Sequence, residues 1–402
     1  MLQTVATELA RHYRRVKRAL RRGNLAEPFL AGRYSFSPYM ACSHGCAYCD
    51  GRAEKYYVEG DFETDIVVRE NLPALLQTEL AKLREVACIS VGSGISDAYQ
   101  PPEQDEQIMR QAAEILASYD YPVTILTKSA LVLRDLDLWK QVNRRGGFHL
   151  YVSLTFVDDE LRRVFEPKAS SVDERLEVLR RFKQAGCGVG VLAMPVLPYI
   201  SDTDDNLQAL LARLKQIGVE FVMPGGLTLR PGRQKDYFMH RIQDRFPHLV
   251  EAYKELYANE LASGNPVYTY RASTLKRIQG LVAAAGFAAQ VPHRLFRGRL
   301  PIYDELYVLL CHMSELYSDR GIDAGRLTAG LQRYRDWLIE QKRVFNRRRK
   351  LTQTQLEDDL LCLLRGGEMT RITANAKLSA FMRAVGIERK TFDYLKMRLV
   401  ED

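Results

Sequence analysis

The chain has 402 residues, 46% of them apolar and 27% charged, with 58 Lys and Arg against 50 Asp and Glu for a formal charge of +8. That composition excludes collagen-like, low-complexity and wholly disordered chains. Single cores stop growing at roughly 250–300 residues, so one large domain with an appended piece is expected. No apolar run reaches the ~18 residues of a membrane span; the longest, Cys187 to Ile200, is broken by Pro195 and Pro198.

In chain order, Leu2 to Arg22 reads as a helix crowded with Arg11, Arg14, Arg15, Lys17, Arg18, Arg21 and Arg22, opposed only by Glu8. It lacks a hydrophobic leader stretch, so secretion is not expected. Gly23 to Arg33 reads as a linker, and Tyr34 to Met40 as a short extended stretch. An alternation then sets in. Apolar, β-branched runs predict strands at Val86–Val91, Pro122–Leu126, Phe148–Leu154, Gly188–Met194 and Glu220–Met223. Amphipathic segments predict helices at Asn71–Glu85, Glu106–Ser118, Leu131–Asn143, Val172–Ala185 and Asn206–Ile217. Ser171 is placed to cap the fourth of these at its start, and Gly186 at its end.

Strands alternating with helices imply βαβ units and a parallel sheet. Counting Tyr34–Met40, the units fall short of the eight of a closed barrel, so the fold class is α/β, an open partial (β/α)6 barrel. From about Pro231 the pattern is purely helical, which appends a C-terminal α-helical region. The expected division is 1–33, basic helix and linker; 34–232, partial barrel; 233–300, helical extension; 301–402, C-terminal helical domain. In such folds the chemistry lies just after each strand, on the loops entering helices.

Seven cysteines are present, an odd number at uneven spacing, which fits a reducing, cytoplasmic setting better than a disulfide framework. Three of them crowd one loop: Cys42-Ser-His-Gly-Cys46-Ala-Tyr48-Cys49. Structural zinc usually draws ligands from two separated pairs, and no second pair exists here. His44, inside the same tight loop, makes an awkward fourth ligand. A cubane cluster has four irons, each needing an outer ligand, so three thiolates leave one iron open for something else.

This loop, with Tyr48 before its last cysteine and a strand before its first, resembles the radical S-adenosylmethionine (SAM) superfamily. The resemblance implies that Cys42, Cys46 and Cys49 hold a [4Fe–4S] cluster. It implies that SAM chelates the open iron and is reductively cleaved to methionine and a 5′-deoxyadenosyl radical, which abstracts hydrogen from a substrate. It also implies an electron donor such as a flavodoxin or ferredoxin.

The remaining site residues follow the strands. Ser93, Gly94, Ser96 and Asp97 form a small-residue stretch after the second strand, where the superfamily receives the methionine end of SAM; the alternative is a plain turn capped by Asp97. Lys128, in Leu-Thr-Lys-Ser after the third, offers a cation to the SAM carboxylate or is a snorkelling surface lysine. Ser153 and Thr155 share one side of the fourth strand and suit ribose hydroxyls or the amino acid group. Val196 and Leu197, after the fifth, pack on adenine or belong to the core. Glu166 and Arg175 read as a structural ion pair.

Ser-His-Gly-Cys-Ala-Tyr-Cys-Asp, Gly-Ile-Ser-Asp-Ala-Tyr-Gln-Pro, Phe-Glu-Pro and Gly-Val-Leu-Ala-Met-Pro most resemble the spore photoproduct lyase-like group, over about Ser35 to Tyr237. True lyases of that group use a cysteine hydrogen donor at a position that here is Gly94. Cys88 sits inside the preceding strand and reads as a buried small hydrophobe. The chain is therefore similar to the group's relatives of unassigned substrate.

Two basic runs, the first helix and Lys342, Arg343, Arg347, Arg348, Arg349 and Lys350, have the character of phosphate-binding surfaces, or of solvated faces. Ala376–Leu399 carries the apolar and glycine pattern of a helix-turn-helix at Phe381, Val385, Gly386, Ile387, Phe392 and Leu395. These features make nucleic acid the expected substrate, for repair or modification. The competing expectation is a nucleic-acid-binding protein with a structural metal and no SAM chemistry. No membrane partner is expected, and the oligomeric state is not legible.

Overall fold

The structure is a computed structural model that describes residues 9–56, 58–92 and 94–401. Its centre is a seven-stranded sheet. The strands are β1 (Arg21–Glu27), β2 (Gly32–Phe36), β3 (Ile89–Val91), β4 (Val123–Thr127), β5 (Phe148–Ser153), β6 (Gly188–Val196) and β7 (Val222–Gly226). Their spatial order is β7-β6-β5-β4-β3-β2-β1, so each strand lies beside its neighbour in sequence. β2 to β7 are all parallel, and β1 alone runs antiparallel to β2. Six parallel strands of a partial barrel are what the β-branched runs predict. Tyr34, Ile89, Val123 and Phe148 stand opposite one another in register, one level of that sheet.

The crossover helices are α1 (Leu72–Leu80), α2 (Ile108–Leu116), α3 (Leu136–Arg145), α4 (Val172–Gln184) and α5 (Asp204–Ile217). α4 starts with a capping box in which the Ser171 hydroxyl and the Glu174 carboxylate serve each other's backbone N–H groups. It ends before Gly186, whose φ of +78° suits a residue without Cβ. Because every parallel strand points the same way, the loops after β2 to β7 gather at one rim.

The expected N-terminal helix is absent from its described part. Ala10–Tyr13 is a strand, parallel to Asp65–Val68, which in turn pairs antiparallel with Tyr39–Met40; residues 2–8 lie outside the described residues. Gly23–Arg33 is likewise no linker: it carries the end of β1, a turn and the start of β2. Long-range pairing overrode a local pattern that favours helix. The basic residues of this stretch are partly neutralised, Arg11 by Asp105 and Glu106, Arg14 by Glu59 and Arg22 by Glu79.

The C-terminal helices include α6 (Ile302–Asp319), α7 (Gly325–Arg347) and α8 (Ala376–Gly386). Their apolar residues belong to the same buried cluster as the sheet. A charged knot joins them to β2. Arg33 donates to Glu85 and Asp304, each at 2.7 Å, Lys342 reaches the same two carboxylates at 3.1 and 3.0 Å, and Tyr303 donates to Glu85 at 2.6 Å. All five side chains are buried. Lys342 is therefore no phosphate ligand, although Arg347, Arg348, Arg349 and Lys350 stay exposed. The helix-turn-helix expectation fails too. After α8, Thr391–Asp393 and Arg398–Val400 form an antiparallel hairpin, and Phe392 packs on Phe381 and Tyr394 instead of facing out of a helix. Among the described residues, no helix is long and apolar enough to cross a membrane.

Candidate active site

The loop after β2 is shaped by its backbone. Gly45 holds φ +66°, a backbone conformation that favours glycine. Cys49 N–H donates to the Cys46 carbonyl and Ala47 N–H to the Phe165 carbonyl, at 3.3 and 2.8 Å. Two side chains clamp the loop from outside. Arg52 donates to the carbonyls of Cys46 and Gly45 at 3.1 and 3.2 Å and lies over the Tyr237 ring. Gln100, fully buried, accepts Ser43 N–H at 2.7 Å and donates to the Ala41 carbonyl at 3.2 Å.

The loop faces a cavity of about 350 Å³, the size of a small-molecule site. Cys42, Cys46 and Cys49 line it together with Tyr48, Gly94, Ser96, Asp97, Lys128 and Ser153. The sequence-derived candidates thus largely converge on one space. Asp97 is the hinge of the group: one oxygen accepts Tyr99 N–H and the Thr127 hydroxyl, the other accepts Lys128 N–H. Ser96 donates to the Ala41 carbonyl at 2.8 Å and Ser153 to the Met194 carbonyl at 3.2 Å, so both hydroxyl protons are already committed. Lys128 has no carboxylate within ion-pair distance among the described residues; its ammonium sits 5.7 Å from the centre of the Tyr48 ring.

Three candidates fall elsewhere, and Ser93 lies outside the described residues. β5 ends at Ser153, so strand alternation does not extend to Thr155, which is buried off the cavity with its hydroxyl unpartnered. Val196 is paired with Gly226 at the end of β6, past a break in register. Leu197 packs in a separate apolar cluster with Phe156 and Phe165. Met194 and Pro195 line the cavity in their place, with Gly225 and Gly226 of β7. A Cβ added at Gly94 or Gly226 would meet nothing within 4 Å, so these two positions leave room for a ligand.

Beneath the loop, Tyr48 donates to Glu166, which pairs with Arg175, all three buried. The pair expected from the sequence is present, with the tyrosine as its third member. Burial pushes the Glu166 carboxyl up, but Arg175 and Lys128 outweigh it and hold the group below the usual range.

The thiols have the character of metal ligands. Burial pushes Cys46 up to about 12, against the pull of Lys128, and raises Cys42 and Cys49 as well. Thiolates in such a place need a metal to hold their charge. His44 is turned to Asp97, 3.5 Å away, and burial lowers its basicity. Among the described residues, no three His, Cys, Asp or Glu side chains converge to hold a single ion. The donor set fits a [4Fe–4S] cluster with three protein thiolates, and the Lys128 ammonium and the open glycines fit an amino acid carboxylate and its carrier.

The family match agrees with this reading. Residues 36–214 match the family described as the Radical SAM superfamily. An uncharacterized protein of Mycobacterium tuberculosis is 33% identical over 232 residues, 56% of this chain and 67% of that protein. One of Methanocaldococcus jannaschii is 28% identical over 222 residues, 54% of this chain and 78% of its own. Among solved structures, spore photoproduct lyase with bound AdoMet and dinucleoside spore photoproduct is 19% identical at a TM-score of 0.41, and the match covers 54% of this chain and 61% of that one. Methylornithine synthase is 14% identical at a TM-score of 0.34, covering 53% and 61%. The chain thus spans less than two thirds of either solved protein. The cysteine loop in its strand-to-helix setting and the match over residues 36–214 agree: the chain belongs to the radical SAM superfamily, whose members are enzymes that work with a [4Fe–4S] cluster and S-adenosylmethionine.

Proposed function

We propose that Cys42, Cys46 and Cys49 hold the [4Fe–4S] cluster and that the adjoining cavity seats SAM for reductive cleavage, starting hydrogen abstraction from a substrate. The observation that carries this reading is the shared cavity, in which the buried Cys42 and Cys46 and the half-buried Cys49 share walls with Lys128, which has no carboxylate partner among the described residues, and with the open space at Gly94 and Gly226. When bound and reduced, the cluster supplies the electron that splits SAM into methionine and a 5′-deoxyadenosyl radical.

The chain's own residues do the positioning. Arg52 and Gln100 fix the cysteine loop by its backbone carbonyls and N–H groups. Lys128 receives the SAM carboxylate as a charge-assisted partner. Asp97 holds the Lys128 backbone where its side chain enters the cavity. Leu126, Leu192, Met194 and Pro195 give the cavity apolar walls that keep water from a reactive species.

Anaerobic reconstitution tests this directly. The wild-type chain is expected to take up about four irons and to release 5′-deoxyadenosine on reduction with SAM. Cys42→Ala, Cys46→Ala and Cys49→Ala should each lose iron and cleavage. A chain that takes one zinc and no iron would refute the reading.

The substrate reading is nucleic acid, for repair or modification. Its support is the exposed Arg347, Arg348, Arg349 and Lys350, with Lys17, Arg18 and Arg21 on the N-terminal stretch. Affinity for DNA or RNA that falls steeply with salt is the expected result, and salt-insensitive or absent binding counts against it.

A further inference from the structure

At the opposite end of the strands from the cysteines, the barrel floor meets the C-terminal region around a cavity of about 450 Å³. Its walls carry three arginines from three different places: Arg145 at the end of α3, Arg299 in the segment before α6, and Arg389 in the turn before the C-terminal hairpin. A second cavity of about 430 Å³ shares Gly298 and Arg389 and adds Arg294 and Arg297.

Three acids, Asp120, Glu305 and Glu357, share the walls of the first cavity, and among the described residues each has a hydrogen-bond partner. Asp120 accepts from Arg145 at 3.0 Å. Glu305 accepts Gly298 N–H at 2.7 Å and faces His293 at 3.1 Å. Glu357 accepts from Gln353 at 3.1 Å, and Glu220 is shared by Lys183 and Arg294.

Arg299 is the anomaly. Its side chain makes no hydrogen bond and no ion pair among the described residues, and its Nη1 is buried without a partner. The guanidinium occupies the space a side chain at Gly147 would take, since a Cβ there would stand 1.9 Å from Nη1. The groups it faces inside the barrel bring no counter-charge. Burial keeps Cys88 up at about 12 and Cys187 at about 11, raises Tyr151 and holds His149 at about 3, so all four are neutral near pH 7. A desolvated guanidinium with no anion is costly, and it keeps its place only where something offsets that cost. Arg389 also has no acidic partner among the described residues.

We propose that this floor cavity binds a small phosphate-bearing anion, held by Arg299 and Arg389 with Arg145 at its edge. The planar fork of arginine matches phosphate oxygens, and several guanidiniums from separate elements suit a ligand with more than one negative charge. A cavity of this volume takes a small molecule. Free pyrophosphate and a nucleoside diphosphate present the same chemistry, and the test separates them. The site stands apart from the cysteine rim and does not depend on the SAM reading.

The experiment is calorimetric titration of the full-length chain with inorganic pyrophosphate and, separately, with ADP, alongside thermal melts. Saturable binding of at least one is expected, with a rise in Tm. Arg299→Gln and Arg389→Gln should each weaken it by about tenfold or more, as loss of a charged hydrogen-bond partner does. Tighter binding of ADP assigns the nucleotide, and tighter binding of pyrophosphate the free anion. Arg389 is exposed, so its variant reports even where Arg299→Gln fails to fold. Absence of saturable binding by both probes, or affinity unchanged in Arg389→Gln, overturns the site.

Discussion

Asp97 accepts the backbone N–H of Lys128 at 2.7 Å, tying the loop after β3 to the end of β4. The same carboxylate takes the Thr127 hydroxyl at 2.7 Å and stands 3.5 Å from His44 of the cysteine loop. Three loops of the rim are therefore referred to one side chain. Asp97→Ala should raise the Kd for SAM by about tenfold or more, since hydrogen bonds to a charged group contribute ~1.5–3 kcal/mol. Equilibrium binding to the reconstituted protein checks this, and an unchanged Kd would remove Asp97 from the site.

Lys128→Met keeps the length of the side chain and deletes its charge. Iron content should stay at the wild-type level while SAM affinity falls about 10–100-fold, the worth of a charge-assisted contact. A SAM analogue lacking the carboxylate should bind wild type and variant alike. If the analogue also loses affinity in the variant, Lys128 serves something other than the carboxylate.

Gly94→Val is expected to leave Tm within a degree or two, because the added methyls enter open space and surface changes usually stay within about 0.5 kcal/mol. SAM cleavage should nevertheless be lost. Retained cleavage would show that the ligand keeps clear of this wall.

Lys342→Met leaves Glu85 and Asp304 to share Arg33 in a buried setting. Removing one member of a buried charge group typically costs ~3–5 kcal/mol. A fall of Tm in scanning calorimetry, partly recovered on adding Glu85→Gln, is the expected result. Equal stability of Lys342→Met and wild type would mean that the knot is solvated.

His312 contributes to the pH dependence of stability. Its Nε2–H donates to the Pro28 carbonyl and, in the neutral ring, its Nδ1 accepts from the Tyr394 hydroxyl, both at 2.7 Å, which fixes the tautomer. Burial lowers its pKa from 6.5 to about 4. The unfolded chain therefore binds the proton first as pH falls. Stability from this group is complete above about pH 6.5 and is lost progressively down to about pH 4, by ~3 kcal/mol in all. Melts across that range should show the decline, and His312→Gln should shrink it, leaving the share of buried His149, which is held at about 3. A parallel decline in the variant would place the titration elsewhere.

The sheet was legible because each parallel strand is a short β-branched run buried on both faces, as at Val123–Thr127 and Gly188–Val196. The cysteine loop was legible because its ligands are adjacent in sequence. What failed depended on distant partners. Ala10–Tyr13 takes its conformation from Asp65–Val68, 55 residues away in register, and no local pattern reports that. Thr155 was placed by strand alternation, which ceases at Ser153; Val196 was read as lying after the fifth strand, whereas that strand runs on to it and pairs it with Gly226 past a shift in register. Gln100 and Arg52 were missed because their work is done on backbone carbonyls and N–H groups, which carry no residue signature. Ala376–Leu399 kept helical spacing past Gly386, but Phe392 found its partners in a hairpin.

The knot at Arg33 constrains how this protein can be shortened. Cutting before Ile302 would strip away Asp304 and Lys342 and leave Arg33 and Glu85 facing each other at a newly wetted sheet margin, beside a stranded Tyr34. A homologue that dispenses with these helices must therefore resolve positions 33 and 85 in some other way, and the residues it carries there would date the attachment of the C-terminal region relative to the barrel.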